Sequence, residues 1–163
     1  GHEMSHGVTE NTAGLTYSGE SGGLNEATSD IFGTMVEFYA KNPAETPDYL
    51  IGERLPRDGS GPLRNMIQPS IDGTSADCWY AGVGDLDVHY SSGVGNHLYY
   101  MLAEGSQPVG GPASPTCQAG DTRVQLRGPL NQLVVRLPRA PQTLAEQVGA
   151  RSEIAGTLAT ALP

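Results

Sequence analysis

The five residues His2-Glu3-Met4-Ser5-His6 set two imidazoles four positions apart, and that spacing becomes chemistry only on a helix. Residues four apart share one helical face, so both rings can grip a single metal ion. The glutamate between them is then placed to act as general base toward a water at the metal. Taken alone, the pattern also fits a surface helix carrying two unrelated histidines.

A catalytic zinc takes three protein ligands and keeps one position open. The segment Gly22-Gly23-Leu24-Asn25-Glu26-Ala27-Thr28-Ser29-Asp30 offers the third. Glu26 falls in the first turn of a second helix, and Asp30 follows one turn later on the same face. A carboxylate ligand, and a second carboxylate to hold a histidine's free ring nitrogen, are what such a centre needs. Solvated acids at a helix start, where the dipole favours them, are the plainer reading of either residue alone.

Helices account for most of the regular structure expected. The first runs from Gly1 to about Thr12 and ends at Ala13-Gly14. A Ser/Gly loop follows over Tyr17–Gly23. The second helix starts at Leu24 or Asn25 and reaches Ala40, with Ala27, Ile31, Met35 and Phe38 recurring at helical spacing and Phe32, Val36 and Tyr39 beside them. Asn42-Pro43 stops it. Residues 42–86 read as a long connector without periodicity, of the kind that is functional or held by something. A third helix is expected from Ser92 to Ala103, closed by Gly105, and a short one around Gln142–Ala150.

Composition narrows the partners. A formal charge of −9 argues against nucleic acid, whose phosphates it would repel, and no run of 18 apolar residues is present to span a membrane. The two cysteines, Cys78 and Cys117, read as a disulfide closing one long loop or as two buried thiols. The chain begins on Gly-His-Glu without an initiator Met, as a cut chain would. After Cys117 the composition shifts: residues 118–163 hold five of the nine basic residues, all Arg, and no aromatic. A tail of this kind could come from a shifted reading frame in a GC-rich gene or from divergence.

Together the two motifs resemble the thermolysin family of zinc endopeptidases. The match lies in the two-histidine helix, the Gly-x-x-Asn-Glu-x-x-x-Asp segment, the 19 residues between His6 and Glu26, and the continuation Asp-Ile-Phe-Gly-Thr-Met-Val-Glu-Phe-Tyr over 30–39. A third match is Leu86-Asp87-Val88-His89-Tyr90-Ser91-Ser92-Gly93. The resemblance covers residues 1–117 and implies a mainly α fold with long irregular loops, the family's C-terminal helical domain; it licenses no fold for 118–163. It implies that His2, His6 and Glu26 ligate zinc, that Glu3 is the general base, and that Asp30 orients His2 and Asn25 orients His6. Tyr17 and His89 would bind the developing oxyanion, His89 being held by Asp87, with Asp85 the weaker candidate. Arg64 would hydrogen-bond a substrate carbonyl, while Leu63 and Ile51, with Leu55 less firmly, line an apolar pocket for the residue after the scissile bond. His97 matches no family role and reads as structural or exposed.

The resemblance also implies calcium at Glu37, Asn42, Asp48 and Glu53, one ion rather than two. Leu50 stands where a carboxylate is expected, and an insertion lies around Ala44–Pro47. Further implications are polypeptide substrates, an extracellular location, and a preceding β-rich domain that forms the other half of the cleft. Two readings compete. A zinc aminopeptidase would call for 18 residues between His6 and Glu26 and lacks the His89 segment. A fragment that binds metal without turnover remains the alternative of a different class.

Overall fold

The computed structural model describes residues 1–55, 59 and 61–117. The tail 118–163, with the helix expected around Gln142–Ala150, lies outside the described residues. In chain order the elements are α1 (His2–Asn11), α2 (Gly19–Ala40), β1 (Leu50–Ile51), β2 (Arg64–Asn65), two short 3-10 turns (Pro69–Asp72 and Val83–Asp85), α3 (Val88–Ser91) and α4 (Gly93–Glu104). The fold is therefore mainly helical, and α1, α3 and α4 all pack against α2.

The second helix departs from the sequence reading at its start. It begins at Gly19, so most of the expected Ser/Gly loop is helical. Gly22 and Gly23 serve packing, not turning. A Cβ on Gly22 would come within 2.4 Å of the Val88 side chain, and one on Gly23 within 2.5 Å of Ser91 Oγ. Bare backbone there lets α3 lie directly on α2, and the helix propensity lost at each glycine is accepted in return. At the other end Lys41 adopts a left-handed conformation and its N–H returns to the Glu37 carbonyl, closing α2 before Asn42-Pro43.

The faces of α2 are also inverted relative to expectation. Of the apolar series only Ala27 is buried, whereas Phe32, Met35, Val36, Phe38 and Tyr39 are exposed. The buried positions are Asn25, Glu26, Ser29, Asp30 and Thr34. Helical periodicity locates a stripe but does not say which stripe meets the domain. Here the polar stripe meets it, because α1, α4 and β2 supply partners for Asn25 and Asp30: His6, His2, Asn96 and Arg64.

The connector is less irregular than its composition suggests. Leu50 pairs with Asn65 and Ile51 with Arg64 in an antiparallel two-residue ladder, which carries Arg64 to the polar face of α2. The helix expected from Ser92 to Ala103 is α4, Gly93–Glu104, closed at Gly105; a short α3 precedes it, capped by Asp87, whose side chain accepts from the His89 N–H. Cys78 and Cys117 are joined by a disulfide with a Cα–Cα distance of 5.7 Å. Beside it His97 is buried, against the option of exposure, with Nδ1 at 2.7 Å from the Asp77 carbonyl and Nε2 at 2.7 Å from Ser114 Oγ. Tyr100, Met101 and Met66 form the apolar core beneath.

Candidate metal centre

The polar face of α2 and the first turns of α1 meet at one point. His2 Nδ1 lies 2.8 Å from Asp30 Oδ1. A carboxylate only accepts, so this ring nitrogen carries the proton. His6 Nδ1 lies 2.8 Å from Asn25 Oδ1, and Asn25 Nδ2 donates to the Leu15 carbonyl, which fixes the amide and makes His6 Nδ1 a donor too. In neutral imidazoles both Nε2 atoms then present lone pairs, and they face each other at 3.1 Å.

Glu26 completes the group, with its oxygens 3.2 Å from His6 Nε2 and 3.5 Å from His2 Nε2. The carboxylate is almost fully buried; its Oε2 makes no hydrogen bond, and the nearest cationic group is Arg64 Nη2 at 3.5 Å. Two lone pairs and a buried carboxylate at van der Waals separation repel unless a cation sits among them. Tetrahedral zinc, with bonds of about 2.0–2.1 Å, would set its ligand atoms about 3.3 Å apart, close to the three separations found. Two nitrogens and one carboxylate oxygen form a donor set that zinc accepts.

Asp30 is the hub behind this group. Arg64 grips it with Nε to Oδ2 at 2.7 Å and Nη2 to Oδ1 at 2.6 Å, and Asn96 Nδ2 donates to Oδ2 at 2.8 Å. Burial pushes the carboxyl up, but hydrogen bonds from His2, Arg64 and Asn96 outweigh it and hold Asp30 below the usual carboxylate range. The same hydrogen bond to Asp30 raises the His2 imidazole above its ordinary value, against burial.

Glu3 is exposed on α1 between the two histidines. Across the site Tyr17 OH donates to Glu26 Oε1 and stands 3.4 Å from His89 Nε2. Burial and the Glu26 carboxylate raise the Tyr17 phenol well above its normal value. His89 Nδ1 lies 2.7 Å from Asp87 Oδ1, and the backbone and ring N–H groups of His89 keep Asp87 low. The structure thus pairs His89 with Asp87, and no hydrogen bond or ion pair joins His89 to Asp85 among the described residues. Leu63 N–H donates to the Ile51 carbonyl, and a Cβ on Gly52 would touch both Leu63 and Leu55. The Leu63 and Leu55 side chains thus meet over Gly52, both exposed.

The acids of the expected calcium set divide. Glu37 and Glu53 approach one another, joined by Glu45 from the inserted segment, with oxygens within 4.8 Å. Asn42 and Asp48 instead cap local turns through the Ala44 and Leu50 N–H groups. Glu45 also pairs with Arg54 at 2.8 Å. Burial, then the charges of Asp48 and Glu53, raises Glu37.

Two contributors escaped the sequence reading. Glu45 sits in the insertion that the resemblance does not cover. Asn96 is buried inside α4, where asparagine is a poor helix former, and that mismatch was the available signal.

Two imidazoles and a buried carboxylate aimed at one point make this helical domain a candidate metal-binding domain. Residues 13–124 match the thermolysin metallopeptidase alpha-helical domain, and the chain belongs to that family. The match begins after the His2–His6 motif and runs past Cys117. The chain is 63% identical over 113 residues, 68% of its length, to the transglutaminase-activating metalloprotease of Streptomyces mobaraensis. It is 49% identical over 107 residues, 63% of its length, to the zinc metalloproteinase of Legionella pneumophila. To the thermolysin of Bacillus caldolyticus it is 45% identical over 116 residues, 68% of its length. These matches span 15%, 19% and 20% of the respective relatives.

Proposed function

We propose that this chain is the zinc-binding part of an endopeptidase that hydrolyses peptide bonds, on the amino side of apolar residues. The observation that carries the reading is the pair of facing Nε2 lone pairs with a buried Glu26 oxygen beside them that makes no hydrogen bond. His2, His6 and Glu26 would hold zinc, with Asp30 and Asn25 fixing the two rings through Nδ1. Zinc bound there supplies Lewis acidity and eases deprotonation of water near neutral pH. Glu3 takes the proton from the attacking water and returns it to the leaving amine. Tyr17 OH and His89 Nε2, 3.4 Å apart, would donate to the oxyanion that develops on the scissile carbonyl. Asp87 accepts from His89 Nδ1 and keeps the ring aimed. Arg64, anchored on Asp30, orients a substrate carbonyl, and Leu63 and Ile51 receive the apolar side chain. A calcium ion is proposed at Glu37, Glu45 and Glu53, with Glu37 Oε1 buried and unpartnered.

Substrates are read as polypeptides and the location as extracellular, which the disulfide supports; no helix among the described residues is long and apolar enough to cross a membrane. One observation favours a second reading, zinc binding with little turnover by this chain alone. The outer face of α2 and parts of α1 expose large apolar side chains, Tyr39 at 90% and Met4 at 79%, as an element does when a further domain covers it. Metal analysis after dialysis, followed by peptide hydrolysis by this chain and by one extended at its N-terminus, tests both. Absence of zinc uptake overturns the proposal; zinc uptake with cleavage only by the longer chain selects the second reading.

A further inference from the structure

We infer that Asn96 is a positioning residue for the metal centre, acting through Asp30 on the orientation of His2; this rests on the zinc reading above. Asp30 is fully buried, at 0% exposure, and its four lone-pair directions are all used. Oδ1 accepts from His2 Nδ1 and Arg64 Nη2, and Oδ2 accepts from Arg64 Nε and Asn96 Nδ2. Arg64 grips the carboxylate along both oxygens and so fixes its in-plane direction. Asn96 arrives from a different helix and fixes Oδ2 from a second side. With both in place the carboxylate cannot swing, and Oδ1 stays aimed at the imidazole.

The details of Asn96 fit this role and fit a packing role poorly. It is 1% exposed, yet its Oδ1 has no hydrogen-bond partner. Reversing the amide would press a carbonyl oxygen against the Asp30 carboxylate, so the orientation is set by Asp30 alone. An amide that leaves half its polar capacity buried and unused is retained for the half it uses. The backbone is built to allow the reach. A Cβ on Gly95 would lie 2.6 Å from the Ala27 side chain, so only glycine lets α4 come close enough to α2 for a short side chain to touch Asp30.

Partners of this outer kind typically change metal affinity by 10- to 100-fold, and the effect should fall on one histidine. The test compares the zinc-loaded chain with Asn96→Leu, which keeps the approximate shape and removes the donor, and with Met101→Ala, a packing change on the same helix. Zinc release to an excess of a colorimetric chelator and the ring N–H signals of the histidines by NMR are the two readouts. Asn96→Leu should release zinc about 10- to 100-fold faster and shift or broaden the His2 Nδ1–H signal, while the His6 Nδ1–H signal stays. Met101→Ala should lower the melting temperature and leave both readouts as in the unaltered chain. Should Asn96→Leu fail to fold, Asn96→Ser, whose hydroxyl is too short to reach, carries the same comparison. Unchanged zinc release, or equal shifts at His2 and His6, overturns the inference while leaving the zinc site standing. Failure of the unaltered chain to bind zinc takes down both.

Discussion

Asp30 and Arg64 meet through two parallel hydrogen bonds, Nε to Oδ2 at 2.7 Å and Nη2 to Oδ1 at 2.6 Å, with the carboxylate fully buried. An exposed pair of this kind would matter little, but a buried one becomes critical once half of it is removed. Arg64→Met should therefore destabilise the chain by about 3–5 kcal/mol, because Asp30 is left charged and short of donors. Asp30→Asn in that background should recover part of the loss. The sign with pH follows from Asp30 lying below its ordinary range: its contribution is fully present above the unfolded carboxylate value, about pH 4, and is lost as the pH falls through the lower folded value. Denaturant unfolding of the three proteins between pH 3 and pH 7 measures this. Equal stability of Arg64→Met and the unaltered chain would remove Arg64 from the scaffold.

Glu3→Gln separates metal binding from proton transfer. Glu3 is exposed and lies outside the His2, His6, Glu26 group, and Gln keeps its shape without its basicity. Zinc content should stay near that of the unaltered protein, while hydrolysis by the N-terminally extended chain disappears. His89→Ala should be milder, with a loss of about 10²–10³ in rate, as for one oxyanion donor. A parallel fall in zinc and activity for Glu3→Gln would make Glu3 a ligand and not a base.

How far the sequence disclosed this site depends on which interactions are local. His2 and His6 share a face because helical geometry dictates it, and Glu26 and Asp30 were legible on the same rule. What stayed hidden depends on contacts between distant segments. Nothing local says that the polar stripe of α2 faces inward while Phe32, Met35 and Val36 face out. Asn96 reaches Asp30 across 66 positions, a meeting that needs the Gly95–Ala27 approach of two helices. The glycines at 22 and 23 suggest a loop by propensity alone, and the α3 residues that require them, Val88 and Ser91, lie far along the chain.

The Cys78–Cys117 disulfide encloses a separation of 39 residues. In the chain-entropy account, closing a loop of that size contributes about 4 kcal/mol. Reduction should lower the unfolding midpoint accordingly and loosen the segment around His97, whose partners Asp77 and Ser114 lie next to or near the two cysteines. Thermal melts with and without a phosphine reductant, with free thiols counted, check this. Identical melts with both thiols free would show that packing around His97 holds the loop without the crosslink.

Glu37 is raised by burial and by the charges of Asp48 and Glu53, so the fold disfavours its ionised form. Its contribution is then greatest below the unfolded carboxylate value and is lost as the pH rises through the raised folded one. Calcium reverses the balance by binding the ionised form. At 100-fold above its dissociation constant it should stabilise by about 2.7 kcal/mol, visible as a rise in melting temperature at pH 8. Glu37→Gln should melt higher than the unaltered chain in a chelator and gain nothing from calcium. An equal calcium response in both proteins would move the ion away from Glu37.

The exposed apolar side chains make the last prediction, on the behaviour of the chain by itself. Met4 and Val8 on α1 and Phe32, Met35, Val36 and Tyr39 on α2 are all exposed, although these helices pack on each other. Apolar surface of this extent lowers its free energy by leaving water, so the chain should self-associate as its concentration rises. The catalytic consequence expected is loss of positioning, since association through these faces would disturb how a substrate meets Glu3 and His89, and a misplacement of about 1 Å can reduce the rate 100-fold. Sedimentation across a concentration series should therefore show oligomers, and hydrolysis of a casein-type substrate should be slow despite full zinc loading. Met35→Glu with Val36→Lys should restore the monomer without changing zinc content, since neither residue belongs to the metal group. A monomer at all concentrations that cleaves as fast as the N-terminally extended chain would show that these helices carry both the chemistry and the substrate binding.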